Sequence, residues 1–233
     1  MVKAKVVGRE KWLKARKKFL AKEKKFTKLR DKLSKERRKL PWEPVTKPYV
    51  FEGAKGKETL AQLFGGKSQL IVYHFMFAPD WDAGCRGCSF WADNFNDIIV
   101  HLKQRDTNLV AISRAPYKKL AAYQKRMGWD FKWVSSGKSD FNYDFDASFT
   151  DKEVKKKKAF FNFTMQDPWH TDREGTSVFF KDKKGRIFRT YSTYARGIDL
   201  MNTAYNYLDL TPKGRDEGDK GPFWVKRHDE YKT

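Results

Sequence analysis

Apolar positions in this chain follow three kinds of spacing. Across residues 9–40 they recur every seven residues, at Trp12, Phe19, Phe26, Leu33 and Leu40, with Leu13, Leu20 and Leu29 beside them. No Pro or Gly interrupts this stretch. The spacing predicts one long helix with a single apolar seam, Lys and Arg on its other faces, and Pro41 as its end. At 1.5 Å per residue it runs to about 48 Å. That is longer than a small domain needs, so part of the seam is expected to pack on a second copy of the chain, giving a homodimer. Residues 41–48, with three prolines, read as a linker.

The second kind of spacing is the short apolar run. Residues 49–51 predict a strand, 53–56 a turn and 59–64 a helical turn closed by Gly65 and Gly66. Residues 69–77 form a continuous run rich in branched and aromatic side chains, as expected of a central strand buried on both faces. A second such run spans 108–113. Residues 177–181 and 187–191 make a hairpin around a polar turn. The third kind is amphipathic. Residues 85–102 present Phe95, Ile98, Ile99 and Leu102 as the inward face of a helix, 116–127 start at Pro116 and stop at Gly128, and 198–208 form a closing helix. Strand, helix, strand, helix predicts parallel strands joined by right-handed crossovers. The aromatic, Asp- and Asn-rich stretch 129–170 reads as an irregular insertion. The domain layout is therefore a basic helix and linker (1–48), an α/β domain (49–210) and a polar surface tail (211–233).

Charge changes this picture at one end. The 233 residues carry 50 Lys/Arg and 29 Asp/Glu, a net +21, yet residues 1–40 alone hold 18 of the basic and 4 of the acidic residues. Such asymmetry suits an anionic partner, nucleic acid or a membrane surface, bound through residues 1–40, or serves only to keep an aromatic-rich chain soluble, the favoured reading since no nucleic-acid motif accompanies it. The longest apolar stretch falls well short of the roughly 20 residues a membrane span needs. No apolar run follows the basic start, which points away from a secretory signal and makes the cytoplasm the expected location. Two cysteines cannot staple a domain of this size.

Those cysteines are the candidate chemistry. Gly84-Cys85-Arg86-Gly87-Cys88 follows the predicted central strand and opens a predicted helix. Unsatisfied N–H groups at a helix start favour a thiolate, so Cys85 is expected to ionise easily, with Arg86 adding to the effect. Cys88, one turn in, is expected to be more buried and to resolve a mixed disulfide. Two alternatives stand beside this: a pair of inert small thiols, or half of a zinc site, for which no second cysteine pair exists. No cofactor or metal is expected.

The resemblance that follows rests on long stretches. They include Leu40-Pro41-Trp42, the run 68–77, Pro79-Asp80-Trp81-Asp82, Gly84-Cys85, Cys88-Ser89-Phe90-Trp91-Ala92-Asp93 and Ser113-Arg114-Ala115-Pro116. Further on come Met127-Gly128-Trp129, residues 139–144, Tyr191-Ser192-Thr193-Tyr194-Ala195-Arg196-Gly197, residues 204–209 and residues 227–231. On these the chain resembles the thioredoxin-like family catalogued as domain of unknown function 899. The resemblance implies a thioredoxin-like fold, a central mixed sheet flanked by helices, with the cysteine pair at the start of a helix and the long helical extension in front. It implies no reaction. Ordinary thioredoxins carry a cis-proline facing the disulfide, and the matching approach here, Glu174-Gly175-Thr176-Ser177, has none. That weakens general protein disulfide reduction and leaves room for a small-molecule thiol, disulfide or peroxide substrate.

Four further residues are candidate supports. Arg114, at the end of the second parallel strand, lies where ligands of open α/β sheets bind and is expected to hold an anion or tune the thiolate. Asp82 and Trp81 lie in the loop leading to the cysteines, as acid or base and as a pocket wall, or as a cap and core. His74, on the central strand, is expected to be buried and structural, with a proton shuttle to Cys88 as the alternative. Arg196 is a weaker anion site, with an ion pair as the simpler reading. The alternating acids 140, 144 and 146 lack the glycine and terminal glutamate of a calcium loop. Two functions from different classes result: a thiol–disulfide oxidoreductase or thiol peroxidase, and a non-enzymatic module that binds an anionic partner through its basic helix.

Overall fold

The computed structural model describes residues 4–232; residues 1–3 of the N-terminal segment and Thr233 of the tail lie outside the described residues. The chain opens with helix α1 (Arg9–Arg37), three residues shorter than its seam. There follow β1 (Glu43–Val45), β2 (Val50–Gly53), β3 (Gly56–Thr59), α2 (Leu60–Leu63), β4 (Gln69–His74), α3 (Arg86–Ala92), α4 (Ile99–Gln104), β5 (Thr107–Ser113) and α5 (Tyr117–Arg126). The second half holds β6 (Lys132–Ser135), α6 (Phe141–Asp144), α7 (Asp151–Lys155), β7 (Ala159–Phe161), β8 (Thr164–Gln166), β9 (Gly175–Lys181), β10 (Ile187–Tyr194), a 3-10 turn (Ala195–Met201) and α8 (Thr203–Leu208).

Eight strands form one mixed sheet in the order β1-β10-β9-β4-β5-β6-β2-β3. β4 is central, parallel to β5 and antiparallel to β9. The unit β4–α3–β5 with the hairpin β9–β10 is a thioredoxin-like core, and both faces of its sheet are covered. Because side chains alternate along a strand, Leu70 and Val72 of β4 join Phe64, Phe141 and Phe179 on one face. Tyr73, and Phe75 just beyond the strand, join Trp91, Phe95 and Trp133 on the other.

Several expectations need correction. The linker 41–48 contributes β1, which pairs with β10 at the sheet edge, where a proline such as Pro44 is tolerated for want of a donor. The turn 53–56 is followed by β3, which pairs with β2. Capping of α2 by Thr59, with Gln62 returning the bond, then starts the helical turn. The helix expected over 85–102 is two helices, α3 and α4. Asn94 caps the C=O groups of Phe90 and Trp91, and Ile98, expected inside, is 40% exposed. Within the expected irregular stretch, β6 is a full strand parallel to β5. The closing helix is a 3-10 turn followed by α8, with Asn202 accepting from Tyr205 N–H at the join. The tail packs back on the domain, burying Val225. No residue of α1 is buried: Trp12, Phe19 and Phe26 are 54%, 56% and 66% exposed.

Candidate active site around Cys85 and Cys88

β4 aims the chain at the site and the residues after it hold the aim. Phe75 N–H donates to Ile112 C=O at 2.9 Å and Ala115 N–H to Phe77 C=O at 2.8 Å, so the extended course outlasts the strand. The loop then turns back, and Cys85 N–H donates to Met76 C=O at 3.0 Å. Gly84 makes this return possible, since a Cβ there would lie 2.7 Å from Cε1 of Phe75 and 3.0 Å from Cε1 of Tyr123. Its carbonyl accepts from Nη2 of Arg227 at 2.7 Å and from Nε at 3.2 Å. The same guanidinium donates to Tyr123 Oη at 2.9 Å. Tyr123 Oη bonds Ser89 Oγ, which donates to Cys85 C=O at 2.8 Å. The tail is thus tied to both sides of Cys85.

Cys85 is the residue before α3, half-buried, and Cys88 lies one turn in, 2% exposed; both are free thiols. Their environments push the two thiols apart. The Cys88 S–H hydrogen bond, with the N–H groups of Cys88 and Gly87, brings Cys85 down from 9.0 to about 7 against the opposing effect of burial. Burial, then the bond it gives to Cys85, pushes Cys88 well above its usual range. Met76 N–H points at Cys88 Sγ at 3.4 Å. Tyr73 Oη is buried beside Cys88 without a hydrogen-bond partner. Glu174, just before β9, raises both thiols by its charge.

Both cysteines line a cleft of about 890 Å³. Tyr73, Met76, Gly87 and Trp91 line it from β4, the loop after it and α3. One wall, between β8 and β9, brings Trp169, Arg173 and Glu174. Opposite stand Arg196, Ile198 and Asp199 of the 3-10 turn, Tyr205 of α8, and Arg215 and Glu217 of the tail.

The other sequence candidates are spread more widely. His74 points to the opposite face of the sheet, stacked 5.8 Å from Phe141 and bonded through Nε2 to Ser177 Oγ at 2.9 Å. Burial lowers its imidazole to about 3, so it is neutral and out of reach of the cysteines. Arg114 also lies outside the cleft. Its Nε donates to the buried Asp172 at 2.6 Å and its Nη1 to Tyr143 Oη at 2.9 Å, so the expected thiolate-tuning group is a structural ion pair. Asp82 is exposed and absent from the cleft lining, as is Arg86. Trp81 packs against the core beside Cys85 and makes an edge contact with His170, centroids 6.2 Å apart. Arg196 does line the cleft, paired with Asp199 at 3.0 Å.

Tyr73, Glu174, Trp169 and Arg227 are the groups the sequence reading did not single out. Tyr73 was findable: it shares strand parity with Phe75 and Phe77, which lead to the loop. The others come from segments 80 or more residues away in sequence, with no local signal. Among the described residues, no group of three or more His, Cys, Asp or Glu side chains is placed to hold a metal ion.

A family model described as "Bacterial protein of unknown function (DUF899)" matches residues 1–231. No curated protein matches the chain. Similar solved structures include a PrxQ mutant from Xylella fastidiosa (14% identity, covering 68% of this chain and 89% of that one, TM-score 0.42). Another is the peroxidoxin BcpB from Mycobacterium tuberculosis (14%, 67% and 90%, TM-score 0.44). A hypothetical protein from Sinorhizobium meliloti 1021 is also similar (14%, 64% and 68%, TM-score 0.39). These are likenesses of broad layout, and no residue here takes a role from them.

Proposed function

The chain belongs to the DUF899 family, and we propose that it is a thiol-based oxidoreductase in which Cys85 attacks and Cys88 resolves. The observation that carries this reading is the contrast between the two sulfurs. Cys85, lowered to about 7, faces a cleft, while Cys88, one helical turn deeper, is buried and raised. A nucleophilic thiol is most effective with its pKa near ambient pH. A small disulfide or peroxide oxidises Cys85; Cys88 then displaces the bound group and closes the Cys85–Cys88 disulfide. In a reducing cytoplasm, the expected location, the pair rests as the dithiol. Reduced protein titrated with oxidant and then with a glutathione redox buffer tests this. A reversible intramolecular disulfide, with stable mixed disulfides in Cys88→Ser and none in Cys85→Ser, is the expected result. A pair that never closes overturns the reading.

A second reading rests on α1. Fourteen of its residues are basic and four acidic, and none of its apolar seam is covered. Two copies laid along the seam would bring like charges together, so the charge favours an anionic partner such as nucleic acid over a homodimer. Binding that weakens steeply with salt and survives Cys85→Ser supports it; a dimer mass by solution scattering, independent of salt, supports the self-pairing instead. Among the described residues, no helix is long and apolar enough to cross a membrane.

A further inference from the structure

We infer that the cleft takes a low-molecular-weight organic disulfide bearing aromatic or branched apolar groups, in preference to a hydroperoxide. This rests on Cys85 being the nucleophile and adds the substrate class.

Size is the first argument. About 890 Å³ lies within the range of sites for drug-sized ligands, far more than hydrogen peroxide, with two heavy atoms, fills. The walls are the second. Trp91, Ile198 and Tyr205, nearly buried, line the cleft together with the two cysteines. At the rim, Trp169 is 72% exposed and has φ of 63°. A bulky side chain in the left-handed region costs on the order of 1–3 kcal/mol. The conformation is held by Asp167 Oδ1, which accepts Trp169 N–H at 2.9 Å, and by the Arg173 guanidinium 5.7 Å from the ring. An indole held at such cost, in the cleft lining and largely in water, offers a stacking surface to a ligand.

Leaving-group chemistry is the third argument. Scission of hydrogen peroxide by Cys85 expels hydroxide, the conjugate base of an acid of pKa about 15.7, scission of an alkyl hydroperoxide expels an alkoxide, and either needs a proton donor or cation at the departing oxygen. A disulfide expels a thiolate, whose acid has pKa about 8.5, and leaves without one. Every guanidinium of the cleft is already engaged, so the donor within reach of the sulfurs is the buried Tyr73 hydroxyl rather than a cation. Arg173 pairs with Glu174 at 3.3 Å, Arg196 with Asp199 at 3.0 Å, and Arg215 with Asp199 at 3.0 Å and Asp209 at 2.9 Å. Glu217 accepts from Tyr205 Oη and from Trp224 Nε1, both at 2.8 Å. The cleft thus holds three paired guanidinium groups and four carboxylates, with no unpaired cation, and its apolar surface is left to select the ligand.

The steps balance. Cys85 thiolate attacks one sulfur of RS–SR, forming a Cys85–SR bond and releasing RS⁻. Cys88, as thiolate, attacks Cys85 Sγ, forming the Cys85–Cys88 bond and releasing a second RS⁻. The two protons given up by the cysteines protonate the two RS⁻. The substrate gains two electrons and the protein loses two; an external dithiol, by the reverse exchange, restores the pair.

The test mixes reduced full-length protein with several oxidants: the disulfide of N-acetylcysteinyl-phenylalanine amide, bis(2-hydroxyethyl) disulfide, hydrogen peroxide, tert-butyl hydroperoxide and oxidised insulin. Each rate is divided by that of free N-acetylcysteine thiolate with the same oxidant. The phenylalanyl disulfide is expected to show an enhancement at least about tenfold above all the others, the factor that about 1.4 kcal/mol of extra contact supplies. Trp169→Ala should reduce that enhancement several-fold and Trp169→Phe restore most of it. A larger enhancement for either hydroperoxide, or for insulin, overturns the substrate class while leaving the thiol reading in place. So does an enhancement that Trp169→Ala does not change. If no oxidant produces the Cys85–Cys88 disulfide by mass, the thiol reading falls and takes this inference with it.

Discussion

Replacing Cys88 by alanine tests whether the buried thiol sets the reactivity of the exposed one. The S–H group of Cys88 is the largest influence bringing Cys85 from 9.0 to about 7; the N–H groups of residues 88 and 87 follow. In Cys88→Ala the S–H donor is lost while burial, which opposes ionisation, and the backbone donors, which favour it, both remain, so the Cys85 pKa should rise. The size of the effect for a return to 9.0 follows from ionisation. At about pH 7 a thiol of pKa about 7 is half thiolate, and one of pKa about 9 is about 1% thiolate, a loss of about fiftyfold. Nucleophilicity moves the other way. With a Brønsted coefficient of about 0.4–0.5, two pKa units make the thiolate about six- to tenfold more reactive. For a rise from about 7 to about 9 the net loss at about pH 7 is therefore about five- to eightfold, and the two curves cross at higher pH. The assay is iodoacetamide alkylation of Cys85 across the pH range, with the adduct located by mass spectrometry. Wild-type rates should rise through a midpoint near 7 and level off. The variant should rise later and reach a higher plateau. A variant whose midpoint stays near 7 refutes the reasoning, because the backbone donors alone would then hold the thiolate.

Two further predictions address groups outside the sulfur pair. Arg114→Met should cost about 3–5 kcal/mol in denaturant unfolding, because it leaves the carboxylate of Asp172 buried without its cation. Asp172→Asn in the same chain should recover part of that loss, and Cys85 alkylation should be unaffected in both; a Cys85 midpoint that moves with Arg114 would return that residue to the site. Arg227→Met removes the donors to Gly84 C=O and Tyr123 Oη, and should cost about 2–3 kcal/mol while speeding amide exchange at Cys85. Exchange at Cys85 that is no faster than in wild type would show that the tail does not hold the loop.

The sequence by itself determined the elements whose periodicity is local. The seven-residue seam gives α1, the continuous apolar run gives β4, and the polar turn between two apolar runs gives the β9–β10 hairpin. It also placed Cys85 and Cys88 at a strand-to-helix join, since the end of one pattern and the start of the next can be read residue by residue. The tertiary structure decided everything that depends on a partner distant in the chain. β1, β3 and β6 are short segments with weak patterns of their own, and pairing to β10, β2 and β5 makes them strands. Arg114 looked free at a strand end until Asp172, 58 residues on, supplied its counter-charge. The cleft beside the cysteines is walled by residues 169–174, 195–199 and 205–222, which no spacing rule connects to residue 85. Neighbours such as Tyr73 and His74 differ by one step along β4, yet the pleat sends one to the sulfurs and the other to the opposite core. Periodicity records which faces of an element are apolar; which apolar faces meet, and which charges they bring together, is settled only when the whole chain packs.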